Sequence, residues 1–178
     1  SAPSAPDLIA SSDTGDSDTD NVTADNTPTF SGTGGNPGDT VTLFANGVNV
    51  GSATVGGDGS WTITTSTLAD GSYSMTARYT DTAGNESGLS PALNPVVINT
   101  SAPSAPTAPD LQAQSDTGSS DTDDYTSDNT PTFTGTGGTS GDTVTIYANG
   151  VAVGSATVAG NGSWSVTTST LADGSYSI

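Results

Sequence analysis

The sequence predicts an all-β chain made of two β-sandwiches in tandem, about seven strands each, with the second cut short in its sixth strand. Three observations carry this. The chain repeats itself at a constant offset of 103 residues, and 39 of 50 positions are identical between residues 26–75 and 129–178. The helix formers Glu, Lys, Arg, Gln and Met are almost missing, while Thr, Val and Gly abound. Short runs alternate apolar and polar residues with period two and are separated by turn residues, which is the signature of half-buried strands.

In the first repeat, residues 1–100, strand A lies near 7–10 and strand B near 27–32, the latter entered through "DNTPTF". Strand C spans 40–45, where Val41, Leu43 and Ala45 alternate with Thr40 and Thr42. "ANGV" at 45–48 is an Asn-Gly hairpin signal that turns C into strand D, near 48–55. "GGDGS" turns D into strand E near 60–65, with Trp61 and Ile63 on one face. "ADGS" leads into strand F near 72–80, where Tyr73, Met75, Ala77 and Tyr79 share a face. Strand G lies near 94–99. The predicted core is Leu8, Phe30, Val41, Leu43, Trp61, Ile63, Leu68, Tyr73, Met75, Tyr79 and Val97. Trp61 and Trp164 alternate inward and read as core, whereas Phe44 and Tyr147 alternate outward and read as contact surface.

Seven short strands in about 100 residues match an immunoglobulin-like sandwich, here without its cysteine pair. "SAPSAP" at 1–6 returns as "SAPSAPTAP" at 101–109, an extended, semi-rigid joint between repeats. The second repeat, 101–178, stops at Ile178, without most of strand F and all of strand G. A longer natural chain is the simpler expectation; the other is that a neighbouring copy supplies those strands.

Composition excludes several function classes. There is one basic residue, Arg78, against 19 acidic ones, for a formal charge of -18. Nucleic acid and anionic membrane surfaces both need Lys and Arg, so neither is an expected partner. With no Cys and no His, thiolate chemistry, imidazole catalysis and His-ligated zinc are absent. No apolar run reaches the ~20 residues of a membrane helix, so direct membrane insertion is not expected. A carboxylate pair for glycoside hydrolysis would need a cleft and sugar-binding aromatics, and the acids here sit on turns beside more acids. The sequence offers no catalytic residues and no organic cofactor site, and the chain reads as a non-enzyme.

"GDTVTLFANG", "VGSATV", "GSWTITT", "LADGSYSMTARYTDTAGNES" and the "DNTPTF" entry, in this order and twice over, resemble the tandem bacterial immunoglobulin-like repeats of giant surface adhesins, which are type I-secreted and RTX-associated. The resemblance covers nearly the whole chain. It implies an extracellular, cell-surface stalk of a biofilm adhesin, with neighbouring repeats as partners and Ca²⁺ stiffening the domain junctions. No RTX nonapeptide, secretion signal or ligand-binding head is present in these residues.

The stretch "SSDTGDSDTDNVTADN" at 11–26 then acquires a place. The A–B loop of a seven-strand sandwich sits at the pole where the chain leaves for the next domain, together with the E–F turn and Asp70. Asp13, Asp18, Asp20 and Asp25 recur as Asp116, Asp121, Asp123 and Asp128, whereas Asp16 becomes Ser119 and Asn21 becomes Asp124. Across the joint the second repeat offers Asp110 and Asp142. Oxygen-only ligands from several loops suit a hard ion such as Ca²⁺. "DSDTD" has the spacing of an EF-hand start, but Asn21 stands where Gly and Thr27 where Glu are required. Asp81, with Asn85 and Glu86, is a further candidate at the opposite pole. The alternative to metal binding is that these acids build Asx turns in a solvated loop. Beside the stalk, two other readings stand: a subunit of an extracellular fibre completed by strands from other copies, and a ligand- or glycan-binding module.

Overall fold

A computed structural model describes residues 1–15 and 17–178. The chain divides into two compact units, 1–101 and 102–178.

The first unit is a sandwich of two antiparallel-based sheets. One sheet has the order β1–β3–β6, from β1 (Asp7–Leu8), β3 (Thr29–Thr33) and β6 (Ser60–Thr64). The other has the order β2–β8–β7–β4–β5, from β2 (Val22–Thr23), β4 (Thr40–Ala45), β5 (Val48–Thr54), β7 (Gly71–Thr80) and β8 (Leu93–Ile98). The chain is all-β, as the period-two pattern predicts. The hairpin β4–β5 turns at Asn46 (φ 49°) and Gly47 (φ 81°), the left-handed pair that an Asn-Gly turn requires. The inward residues of both sheets form one core, in which Phe30, Val41, Leu43, Met75, Ala77 and Val96 are fully buried. Each large apolar side chain so buried stabilises the fold by roughly 1.5–3 kcal/mol.

Three expectations need correction. Strand A ends at Leu8 rather than Ala10, because the chain turns there: the Ser12 N–H donates to the Ile9 carbonyl at 2.8 Å. Strand G has the opposite phase: Val96 and Ile98 point inward and Val97 is only half-buried, as is Tyr73. An eighth short strand, β2, arises inside the acidic loop and pairs in parallel with β8, Val22 opposite Val97 and Thr23 opposite Ile98.

Packing explains a glycine in the middle of a strand. Gly32 lies directly opposite Trp61 in the β3–β6 ladder. A Cβ there would stand 2.3 Å from the indole, so the ring lies across the bare backbone. The Trp61 indole N–H then donates to the Tyr79 hydroxyl at 3.1 Å, which donates to the Thr33 carbonyl at 3.0 Å. Phe44, on the outer face, lies 5.5 Å beneath the Arg78 guanidinium, the sole side-chain cation, which also pairs with Glu86 at 2.8 Å.

The second unit repeats half of this plan. Its sheets are β9–β10–β13, from β9 (Asp110–Leu111), β10 (Thr132–Thr136) and β13 (Ser163–Thr167), and the hairpin β11 (Thr143–Ala148) with β12 (Val151–Thr157). Among the described residues there is no counterpart of β7, β8 or the short β2. The Gly135–Trp164 contact is reproduced, with a Cβ 2.2 Å from the ring. Trp61 and Trp164 are equally buried, both 3 % exposed, in agreement with a core role.

Candidate functional site

The loop between β1 and β3 is held by hydroxyls rather than by its acids alone. The Thr23 hydroxyl is buried and donates to the Ser12 carbonyl. It also accepts the Asp25 N–H at 2.9 Å and meets the Thr14 hydroxyl at 2.9 Å. Thr14 accepts the Ala24 N–H at 3.0 Å, and Ser12 accepts the Thr29 N–H at 3.1 Å. Ser115, Thr117 and Thr126 repeat the scheme in the second unit: Thr117 accepts the Ser127 N–H at 2.8 Å and Ser115 the Thr132 N–H at 3.0 Å. Attention to charge passes over these residues, although their recurrence at the same offset of 103 marks them.

Within this frame the acids take three positions. Asp25 builds a turn: Oδ1 accepts the Thr27 N–H at 2.9 Å and its hydroxyl at 3.2 Å, while Oδ2 accepts the Ser12 hydroxyl at 3.0 Å. Asp128 does the same with Thr130 and Ser115, and these bonds hold its carboxyl below the usual aspartate range, the Thr130 N–H first. Asp20 and Asp123 each accept the N–H two residues on, at 3.0 and 3.2 Å, in Asx turns, and remain exposed; so do Asp18 and Asp121. Asp16 lies outside the described residues.

Asp13 and Asp116 differ from the rest. They are 4 % and 5 % exposed, so each carboxylate lies inside the loop. Oδ2 accepts one backbone N–H, from Asn21 at 3.0 Å and from Asp124 at 3.2 Å. Oδ1 is buried in both units and, among the described residues, has no hydrogen-bond partner. A polar oxygen removed from water without a donor is costly, and the same carboxylate oxygen is so placed in both repeats, as are the Thr65 and Thr168 hydroxyls. Asn21 and Asp124 each have φ 59°. That left-handed conformation is one Asn and Asp tolerate, which explains why the two exchange between repeats.

In the first unit the loop lies beside the chain exit. The Asn21 and Thr23 carbonyls accept the Val97 and Asn99 N–H groups at 2.8 and 2.9 Å. Asp70 clamps the residues after β8: Oδ1 accepts the Thr100 N–H at 3.0 Å and its hydroxyl at 2.7 Å, and Oδ2 the Ser101 hydroxyl at 2.8 Å. The Thr100 hydroxyl is the largest cause holding the Asp70 carboxyl below its ordinary range. Asp81 ties the β7–β8 turn by accepting the Asn85 side-chain amide at 2.9 Å and its N–H at 2.8 Å, which lower its pKa, and Glu86 is engaged by Arg78. In the second unit Asp110 is exposed on β9, paired with Thr134, and Asp142 accepts the Thr139 N–H at 2.6 Å.

Among the described residues, no group of three or more acidic side chains is arranged to hold a metal ion. The donor set is nonetheless all hard oxygen, and each loop presents one buried, unpartnered carboxylate oxygen beside exposed carboxylates. Among the described residues, no helix is long and apolar enough to cross a membrane.

Comparison with curated proteins finds no match. Among solved structures, the chain is similar to one titled "Biofilm associated protein - BSP domain", with 21% identity over 87% of this chain and a TM-score of 0.28. This chain spans 24% of that one, and a TM-score so low does not establish a shared arrangement. The family model for the bacterial Ig-like domain matches twice, over residues 1–100 and 102–178. Two successive matches, covering both halves of the 103-residue repeat and both sandwich units, show that the chain belongs to the bacterial Ig-like domain family.

Proposed function

We propose that this chain is a pair of extender repeats from the stalk of an extracellular bacterial surface adhesin of the giant, type I-secreted kind, stiffened by Ca²⁺ at its acidic loops. The observation that carries the metal part of this reading is the buried Asp13 Oδ1, reproduced by Asp116 Oδ1, with no donor among the described residues of either unit. Asp18 and Asp20, or Asp121 and Asp123, are exposed in the same loops, and the carbonyls and hydroxyls around them are further hard-oxygen ligands for a calcium ion. Asp70 stands at the exit of the first unit, where it holds Thr100 and Ser101. Calcium supplies positive charge that turns mutual repulsion among these carboxylates into shared ligation. The protein's own part is to hold the loop in shape through Ser12, Thr14 and Thr23.

Several features support a mechanical rather than a catalytic role. The chain carries no His or Cys, its tryptophans are buried, and its exposed acids are engaged mainly in turns. The partners of such a stalk are neighbouring repeats of the same chain. Melting of the protein in calcium and in EDTA tests the proposal: a calcium-dependent rise of the transition is expected, and identical transitions would overturn it.

A further inference from the structure

The chain enters and leaves the first unit at opposite poles. The segment after the entering strand, β1, and the end of the departing strand, β8, meet on Thr23. Its hydroxyl donates to the Ser12 carbonyl, and its carbonyl accepts the Asn99 N–H at 2.9 Å. β1 therefore starts at the other pole, where Ser1 lines a shallow pocket with Asn85 and Glu86 of the β7–β8 turn. Tension between the two ends of this unit then runs along its strands. At the entry, β1 is antiparallel to β3, and Ser4 is joined to Thr33 by two bonds of 2.9 and 3.1 Å. At the exit, β8 lies between β7 and β2, and β2–β8 is the one parallel pair among the described residues.

We propose that β2 and Asp70 form a mechanical clamp on the departing strand, so that the acidic loop resists force as well as presenting carboxylates. β2 runs beside β8 towards the same pole, and a pull on the exit slides β8 along it. The bonds between the two lie across the pull and share it. They must give way together, whereas the bonds of an unzipping hairpin break one after another. The Asn21 and Thr23 carbonyls hold the Val97 and Asn99 N–H groups at 2.8 and 2.9 Å, and Asp70 adds three bonds to Thr100 and Ser101 just beyond. β2 is anchored in its turn. Thr23 is 1 % exposed, and Asp13 Oδ2 accepts the Asn21 N–H at 3.0 Å. Asp13, Asn21 and Val97 thus connect the segment that follows the entering strand to the departing one. That connection gives a two-residue strand a role that its length alone would not suggest. The inference deepens the stalk reading and rests on it for the direction of load.

The test holds the whole 178-residue protein by its two ends in optical tweezers, at constant force and in EDTA. Unfolding of the first unit is recognised by the release of about 100 residues, roughly 340 Å of chain at ~3.4 Å per residue. Asn99→Pro removes the N–H that the Thr23 carbonyl holds, and should unfold about 5-fold faster under load, the loss of one main-chain hydrogen bond. Asp70→Ala should act in the same direction. Asp58→Ala is the control: Asp58 is exposed like Asp70, but its bonds go to Ser60 in the β5–β6 turn and touch neither the entering nor the departing strand. It should leave the rate under load unchanged, while in denaturant without load Asp58→Ala and Asp70→Ala should speed unfolding alike. Equal rates under load for the wild type, Asn99→Pro and Asp70→Ala would overturn the proposal, as would an acceleration by Asp58→Ala equal to that by Asp70→Ala. A missing calcium response would overturn the proposed function and leave this result standing, since it is obtained without metal.

Discussion

Replacing Asp13 and Asp116 by asparagine separates a metal loop from a solvated turn. Asparagine keeps an oxygen for the Asn21 or Asp124 N–H, and it replaces the buried, unpartnered Oδ1 by an uncharged group. Without metal the exchange should therefore change stability little, since a buried amide nitrogen without an acceptor replaces a buried carboxylate oxygen without a donor. With metal the exchange is destabilising. Extracellular calcium modules bind at ~10⁻⁴–10⁻³ M, so ~10 mM calcium stands at about 10–100 times the dissociation constant. Linkage then gives the wild type roughly 1.4–2.7 kcal/mol, of which the variant keeps little. For units of this size, each kcal/mol moves Tm by about 4–8 °C. Differential scanning calorimetry in 10 mM calcium and in EDTA should show a calcium-dependent rise of about 6–20 °C in the wild type and almost none in Asp13→Asn/Asp116→Asn. An equal rise in both proteins would refute the assignment of Oδ1 as a ligand.

Three other outcomes follow from the packing. Tyr79→Phe leaves the buried Trp61 indole N–H unpaired, while the Thr33 carbonyl keeps the Ser4 N–H, and should destabilise the first unit by about 1–3 kcal/mol in chemical denaturation, without a matching effect on the second unit. Gly32→Ala drives a Cβ to 2.3 Å from the Trp61 ring and should lower stability and shift Trp61 fluorescence, since the indole must move. The Asp70 carboxyl titrates below its unfolded value near 3.9, so its clamp on Thr100 and Ser101 holds above that pH and is lost as pH falls through the lower, folded value. Hydrogen exchange at the Thr100 amide should accelerate over that acid range, and Asp70→Asn should flatten the dependence.

Much of the fold is legible in the sequence because it rests on local pattern. The bounds 40–45 of the third predicted strand coincide with β4, since alternation there is unbroken and the Asn-Gly turn fixes its end. What escapes depends on distant partners. β2 is two residues long inside an acidic loop, and only β8, over 70 residues away, makes it a strand. The phase of β8 is hidden because Val96, Val97 and Ile98 are all apolar, so alternation gives no sign of which faces inward. Gly32 reads as a strand breaker until the ring of Trp61 is seen across it. In the acidic loop, charge draws attention to all the aspartates alike, whereas burial singles out Asp13 and Asp116, and the hydroxyls of Ser12, Thr14 and Thr23 shape the loop.

The central claim is that calcium on the acidic loops stiffens the tandem more than it alters either unit. Small-angle X-ray scattering of the wild type and of Asp18→Ala/Asp20→Ala, each in calcium and in EDTA, tests it most directly. Asp18 and Asp20 are exposed, so their removal leaves the core intact. The account predicts a larger, better-defined maximum dimension for the wild type in calcium than in EDTA, and no such change in the variant; the same maximum dimension in all four samples would contradict it.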